Sequence, residues 1–118
     1  MLTRVDHIDV RTPDFPGTVE FLKTMGMQEV RRTDPKRASV ELSFPGETQV
    51  VLEVRHDPSA EKTYIHHVAF HSDAGAGDVE SLQSAGIDFS KTLAFIEHTG
   101  RTISNAHDPG RATWQLTD

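Results

Sequence analysis

Residues 5–27 read VDHIDVRTPDFPGTVEFLKTMGM, and residues 65–87 read IHHVAFHSDAGAGDVESLQSAGI. The two stretches align without a gap at an offset of 60. His7 falls on His67, Gly17 on Gly77, Val19 on Val79, Glu20 on Glu80, Leu22 on Leu82 and Gly26 on Gly86. Any strand followed by a helix gives matching apolar positions. It does not give a coincident histidine and two coincident glycines. The chain is therefore read as an internal duplication.

Each copy carries the same local grammar. An alternating apolar strand comes first, Leu2 to Arg11 in one copy and Tyr64 to His71 in the other. A turn rich in Pro, Asp and Gly follows. Next comes an amphipathic helix with Val19, Leu22 and Met25, or Val79, Leu82 and Ala85, spaced for one face. Gly26 and Gly86 stand where a helix C-cap is wanted. Extended segments complete each copy: Met27–Thr33, Ala38–Phe44 and Thr48–His56, then Ile87–Thr92, Thr102–His107 and Ala112–Asp118. Turns are expected at Asp34-Pro35-Lys36-Arg37, Pro45-Gly46 and Asp108-Pro109-Gly110. Leu93–Arg101 reads as a loop over the site. The expected fold class is α+β, with two βαβββ modules over about residues 1–56 and 64–118, joined by the polar linker 57–63.

Strand alternation then sorts side chains by face, because residues i and i+2 point the same way. Ile8 and Val10 face the helix, leaving His7, Asp9 and Arg11 opposite. Val68 and Phe70 leave His67, Ala69 and His71 opposite. Val50, Leu52 and Val54 leave Val51, Glu53 and Arg55. Trp114 and Leu116 leave Thr113, Gln115 and Thr117. One face is apolar, and the other collects His7, Glu53, His67 and Gln115. Buried groups of this kind are costly unless satisfied. Imidazole nitrogen with carboxylate and amide oxygen suits a divalent metal such as zinc, nickel, iron(II), cobalt or manganese.

Composition excludes other classes. Net charge is −6 with histidines neutral, and there is no cysteine. Disulfides and thiolate metal sites are therefore impossible. Nucleic acid is not an expected partner, since phosphate contacts need clustered Lys and Arg. The cluster Arg31, Arg32, Lys36, Arg37 is broken by Asp34 and Pro35, and reads as the solvated end of a hairpin. No apolar run is long enough to cross a membrane. Met1 to Val10 alternates charged and apolar residues, unlike the core of an export signal. A single cytoplasmic domain is expected.

The opening VDHIDVRTPDFPGTVEFLKTMGM, the stretch IHHVAF, VVLEVRHD and the closing DPGRATWQL together resemble the vicinal-oxygen-chelate superfamily of glyoxalases, bleomycin-resistance proteins and dioxygenases. The resemblance spans essentially the whole chain and is nearest to the glyoxalase I type. It implies a curved mixed sheet around a metal-binding cup, with ligands His7, Glu53, His67 and Gln115. The family places a Glu where this chain has Gln115. A primary amide is no general base at neutral pH. Glu53 is then the base among the ligands, and a one-base proton shuttle is favoured over two-base epimerisation unless Asp9 substitutes. With one anionic ligand the centre stays positive, which favours an anionic or enolate-like substrate.

The resemblance implies a divalent-metal-dependent lyase or isomerase that stabilises an enediolate or oxyanion of a small oxygenated substrate. Two alternatives stand beside it: a metal-free drug- or metabolite-binding protein, and a ring-cleaving iron(II) dioxygenase. Retention of both ligand histidines argues against the metal-free form. Arg55, His71, His98 and Arg101 are candidates to hold the substrate. Arg55 and Arg11 either clamp an anion or pair with Asp9 or Glu41. A homodimer is expected from the resemblance alone.

Overall fold

The structure is a computed structural model that describes residues 1–34 and 36–118. The element order is β1 (Leu2–Thr12), α1 (Phe15–Thr24), β2 (Gln28–Arg32), β3 (Ser39–Ser43), β4 (Val51–His56), β5 (Tyr64–Ser72), α2 (Ala76–Ser84), β6 (Asp88–Ile96), β7 (Arg101–His107) and β8 (Thr113–Thr117). This is βαβββ twice. The chain groups into two compact units, His7–His66 and Met1–Asp6 with His67–Asp118. The first six residues thus belong with the later unit. There the Met1 ammonium is paired with Asp73 and Asp78.

In the unit His7–His66 the strands run β2-β3-β4-β1. β1 and β4 are parallel, while β3 is antiparallel to both β2 and β4. β4 is thus an interior strand, not the edge strand on which a lone glutamate is normally solvated. Val40, Leu42 and Val54 are fully buried and pack with Phe15, Val19 and Met27, with Val10, Leu22 and Leu52 around them. This is the apolar face that strand alternation predicts. Helix α1 starts where Asp14 caps it, its carboxylate accepting from the Gly17 N–H at 3.1 Å. It ends at Thr24, and just beyond its cap Gly26 takes a φ of +111°, which suits a residue without a Cβ. Met25 caps the helix and is largely exposed, so the apolar stripe of α1 is Phe15, Val19 and Leu22, without the expected Met25.

In the other unit the order is β5-β8-β7-β6, with β5 parallel to β8 and the remaining pairs antiparallel. Helix α2 buries only Val79 and has no side-chain cap at Gly75. Phe70 and Trp114 stack at 5.8 Å on the helix face, and the Trp114 Nε1–H donates to Asp108 at 3.0 Å. Trp114 is therefore half-buried and anchored through its ring nitrogen.

The largest departures from the sequence expectation are at β4 and β6. β4 begins at Val51, not Thr48, because Thr48 takes φ +56° and leaves the extended region. Leu93–Ile96 continues β6, so most of the expected loop Leu93–Arg101 is strand, and only Glu97–Gly100 turns. The register shifts between Lys91 and Ala94, and Leu93 sits at φ +50°. That bulge breaks the period-two pattern and hides the strand from a sequence reading. Of the turn expected at 34–37, Pro35 lies outside the described residues.

Candidate functional site

The polar face of the unit His7–His66 is ordered by its register. On β1 and β4, Asp9 lies opposite Glu53 and Arg11 opposite Arg55. On β3 and β4, Glu41 lies opposite Glu53. On β2 and β3, Arg31 lies opposite Glu41. Side chains directly opposite share a face. One row across the sheet therefore reads Arg31, Glu41, Glu53, Asp9, with His7 two residues before Asp9 on the same strand and face. His7, Asp9, Glu41 and Glu53 are 2, 1, 2 and 5% exposed. Three adjacent carboxylates and an imidazole are therefore nearly removed from water.

Guanidinium groups accompany them. Arg31 Nη2 is 3.2 Å from Glu41, and Arg11 Nε is 3.0 Å from Asp9. Arg55 lies between three acids, at 3.8 Å from Asp34, 3.9 Å from Glu53 and 4.0 Å from Asp9. In this cluster four carboxylates share three guanidiniums. These charges lie in a setting where a buried carboxylate is costly unless it is paired. His66 is nearby. Loss of water around its ring pushes its pKa below the ordinary histidine value, the Arg11 charge adds to this, and Asp9 opposes it. Arg55 was expected to clamp an anionic substrate or pair with Asp9; it is engaged by carboxylates of this cluster.

The second unit repeats the layout with different chemistry. Gln115 lies opposite Asn105 on β7 and Ala69 on β5, and Lys91 lies opposite Asn105. The row reads Lys91, Asn105, Gln115, Ala69. Position by position, Glu41 is answered by Asn105, Glu53 by Gln115 and Asp9 by Ala69. The duplicated scaffold carries an acidic row in one copy and a neutral row in the other. The buried Gln115 donates its Nε2–H to Asn105 Oδ1 at 3.0 Å. That bond engages the amide nitrogen and leaves the amide oxygen as an acceptor. His67, Ala69 and His71 share the face of Gln115, and His67 and His71 are half-buried. His71 Nδ1 is buried without a hydrogen-bond partner among the described residues.

The other two candidates are placed differently. His98 is exposed in the turn Glu97–Gly100. Arg101 opens β7, and its Nε lies 3.7 Å from Asp6. Glu41 is the functional candidate that sequence reasoning underweighted. Its strand SVELS alternates correctly, but nothing in the sequence says that Glu41 stands opposite Glu53.

Residues 4–116 match the model of the Glyoxalase/Bleomycin resistance protein/Dioxygenase superfamily. The chain belongs to that superfamily. The superfamily's glyoxalase-like fold also recurs in solved structures. A variant of Streptomyces coelicolor methylmalonyl-CoA epimerase, in complex with 2-nitronate-propionyl-CoA, is similar at a TM-score of 0.79 and 18% identity, over 99% of this chain and 97% of that one. Methylmalonyl-CoA epimerase from Mycobacterium tuberculosis gives 0.73 and 19%, over 98% and 87%. A hypothetical protein from Bacillus halodurans C-125 gives 0.72 and 12%, over 97% and 92%. No curated protein sequence matches the chain. At these identities the solved superfamily members share the fold, and the chemistry has to be argued from the side chains.

Proposed function

We propose that the chain is a divalent-metal-dependent isomerase or lyase of the glyoxalase kind, which moves a proton on the carbon beside a carbonyl of a small oxygenated substrate. The observation that carries this is the buried row Glu41–Glu53–Asp9 with His7, answered by neutral Asn105, Gln115 and Ala69 in the other repeat. Burying four polar groups without function is expensive. A cation relieves that expense, and a carboxylate in such a place is a proton acceptor.

The donor set fits a metal of the zinc, nickel, cobalt, manganese or iron(II) type. Each repeat supplies one histidine and one oxygen donor: His7 with Glu53, and His67 with Gln115. The Asn105 bond that orients the Gln115 amide supports this assignment. When bound, the ion supplies positive charge that stabilises an oxyanion or enediolate. The chain's own residues do the rest. Glu53 takes the proton and returns it. Arg55, 3.9 Å away, holds its carboxylate in place. His71 Nδ1, buried and without a partner, donates to or accepts from a ligand oxygen. Gln115 cannot share the base role, which favours one-base chemistry. We assign the substrate as a small, anionic oxygenated molecule and the assembly as a cytoplasmic homodimer. Among the described residues no helix is long and apolar enough to cross a membrane.

The test is hydrogen exchange in heavy water. Methylmalonyl-CoA and the hemithioacetal of methylglyoxal and glutathione are incubated with protein loaded with each metal in turn. Deuterium uptake at the carbon beside the carbonyl, followed by mass spectrometry, is expected for wild type and lost in Glu53→Gln. A metal-loaded wild type that exchanges neither substrate argues against proton transfer. Oxygen consumption by the iron(II)-loaded form would instead favour ring-cleaving chemistry.

A further inference from the structure

At the end of the unit His7–His66 where β1 and β4 finish and β3 begins, the surface opens into a pocket of about 500 Å³. Arg11, Lys36, Arg37, His56 and Asp57 line it. The walls are set by the backbone: the His56 N–H donates to Ala38 O at 2.9 Å and the Asp57 N–H to Thr12 O at 2.8 Å. Three permanent cations face one carboxylate. That carboxylate is already engaged, since Asp57 accepts from the Ser59 N–H and Oγ–H and from the Tyr64 hydroxyl at 2.7 Å. Its pKa is held below the ordinary aspartate value by Ser59 first and then Tyr64, so it does not act by gaining a proton.

The contrast with the other cations of this unit is informative. Arg31, Arg32, Arg55 and Lys23 are each matched to carboxylates. Among the described residues of this unit Lys36, Arg37 and Lys62 are matched to none, and Lys36 and Arg37 both belong to the pocket lining. Arg11 gives its Nε–H to Asp9, which leaves the terminal nitrogens of its fork to serve the pocket. In a chain of net charge −6, such a concentration of positive charge is not needed for solubility.

We propose that this pocket binds the phosphate group of a phosphate-ester ligand. Guanidinium and ammonium groups lining one pocket suit a dianion with several acceptor oxygens. The volume is that of a small-molecule site and far larger than a bare phosphate ion, so the rest of an ester has room. Arg11 lies two residues beyond Asp9 on the same strand face, a step of about 6.6 Å. A ligand held here by its phosphate extends toward the Glu53 row. That extension rests on the function proposed above, whereas the phosphate site itself does not.

Ethyl phosphate and inorganic phosphate are titrated by isothermal calorimetry and amide NMR, with sodium acetate at equal ionic strength as control. Saturable binding of ethyl phosphate, at least as tight as inorganic phosphate, is expected. The Lys36→Ala/Arg37→Ala variant should weaken it about tenfold. Both side chains are exposed, so this variant keeps its fold and its metal content. Glu53→Gln should keep phosphate binding, so loss of proton exchange in that variant leaves the pocket assignment standing. Three results would each overturn the proposal: no binding beyond the acetate control, equal binding by the double variant, or binding of free phosphate with exclusion of the ester.

Discussion

Replacing Glu53 by glutamine separates a structural ion pair from a site held ready for a cation. The amide keeps the shape and removes one charge. Glu53 lies 3.9 Å from Arg55, an attraction of about 4 kcal/mol at an effective dielectric of about 20. Its register neighbours Glu41 and Asp9 oppose it from either side at about 5 Å, each with a repulsion of about 3 kcal/mol on the same scale. Against these three neighbours, removing the Glu53 charge gives up about 4 kcal/mol of attraction and about 6 of repulsion. The metal-free variant is expected to gain about 1–2 kcal/mol after screening by salt. The assay is urea unfolding of chelator-treated wild type and Glu53→Gln, each repeated with added zinc, nickel, cobalt or manganese. Wild type should be the less stable protein without metal and the more strongly stabilised with it. A metal-free variant that loses more than about 1 kcal/mol, with an unchanged metal response, would refute the reasoning. Glu53 would then serve as a partner of Arg55 and nothing more.

Gly17→Ala places a Cβ against the Asp14 carboxylate and dislodges the cap of α1. A loss of about 0.5–2 kcal/mol is expected by urea unfolding, close to that of Asp14→Ala. Asp108 has its pKa lowered from 3.8, by Trp114 Nε1–H first and the Ala112 N–H next. Its contribution is present above the unfolded value and is lost as pH falls through the lower folded one. Unfolding followed from pH 5 to pH 2 should therefore decline less steeply for Asp108→Asn than for wild type. His66 should titrate by NMR below the ordinary 6.5, moving up in Arg11→Gln and down in Asp9→Asn. Shifts of the opposite sign would contradict the placement of those charges.

Much of the fold was legible because duplication doubles the signal. The coincidence of His7 with His67 and Gly26 with Gly86 fixed two copies before any strand was placed. Alternation in Ile8–Val10, Leu52–Val54 and Trp114–Leu116 assigned faces correctly, since each strand has one apolar and one polar side. What alternation cannot supply is register between strands. The row Glu41–Glu53–Asp9 depends on how the turn through Thr48 sets β3 against β4, and positive φ at a threonine leaves no sequence signature. The same holds for Asn105, whose role appears only when β7 places it opposite Gln115. The β6 bulge at Leu93 interrupts the period that would have marked the strand. Lys36 and Arg37 read as solvent-facing charges because their pocket is assembled from Arg11 and His56, distant in sequence.

Elemental analysis of untagged protein purified without chelator tests the central claim most directly, on wild type and on His7→Ala/His67→Ala. The account predicts near-stoichiometric divalent metal in wild type, with loss in the double variant and an unchanged circular dichroism spectrum. Wild type that carries no metal, and takes up none of zinc, nickel, cobalt, manganese or iron(II), would contradict it.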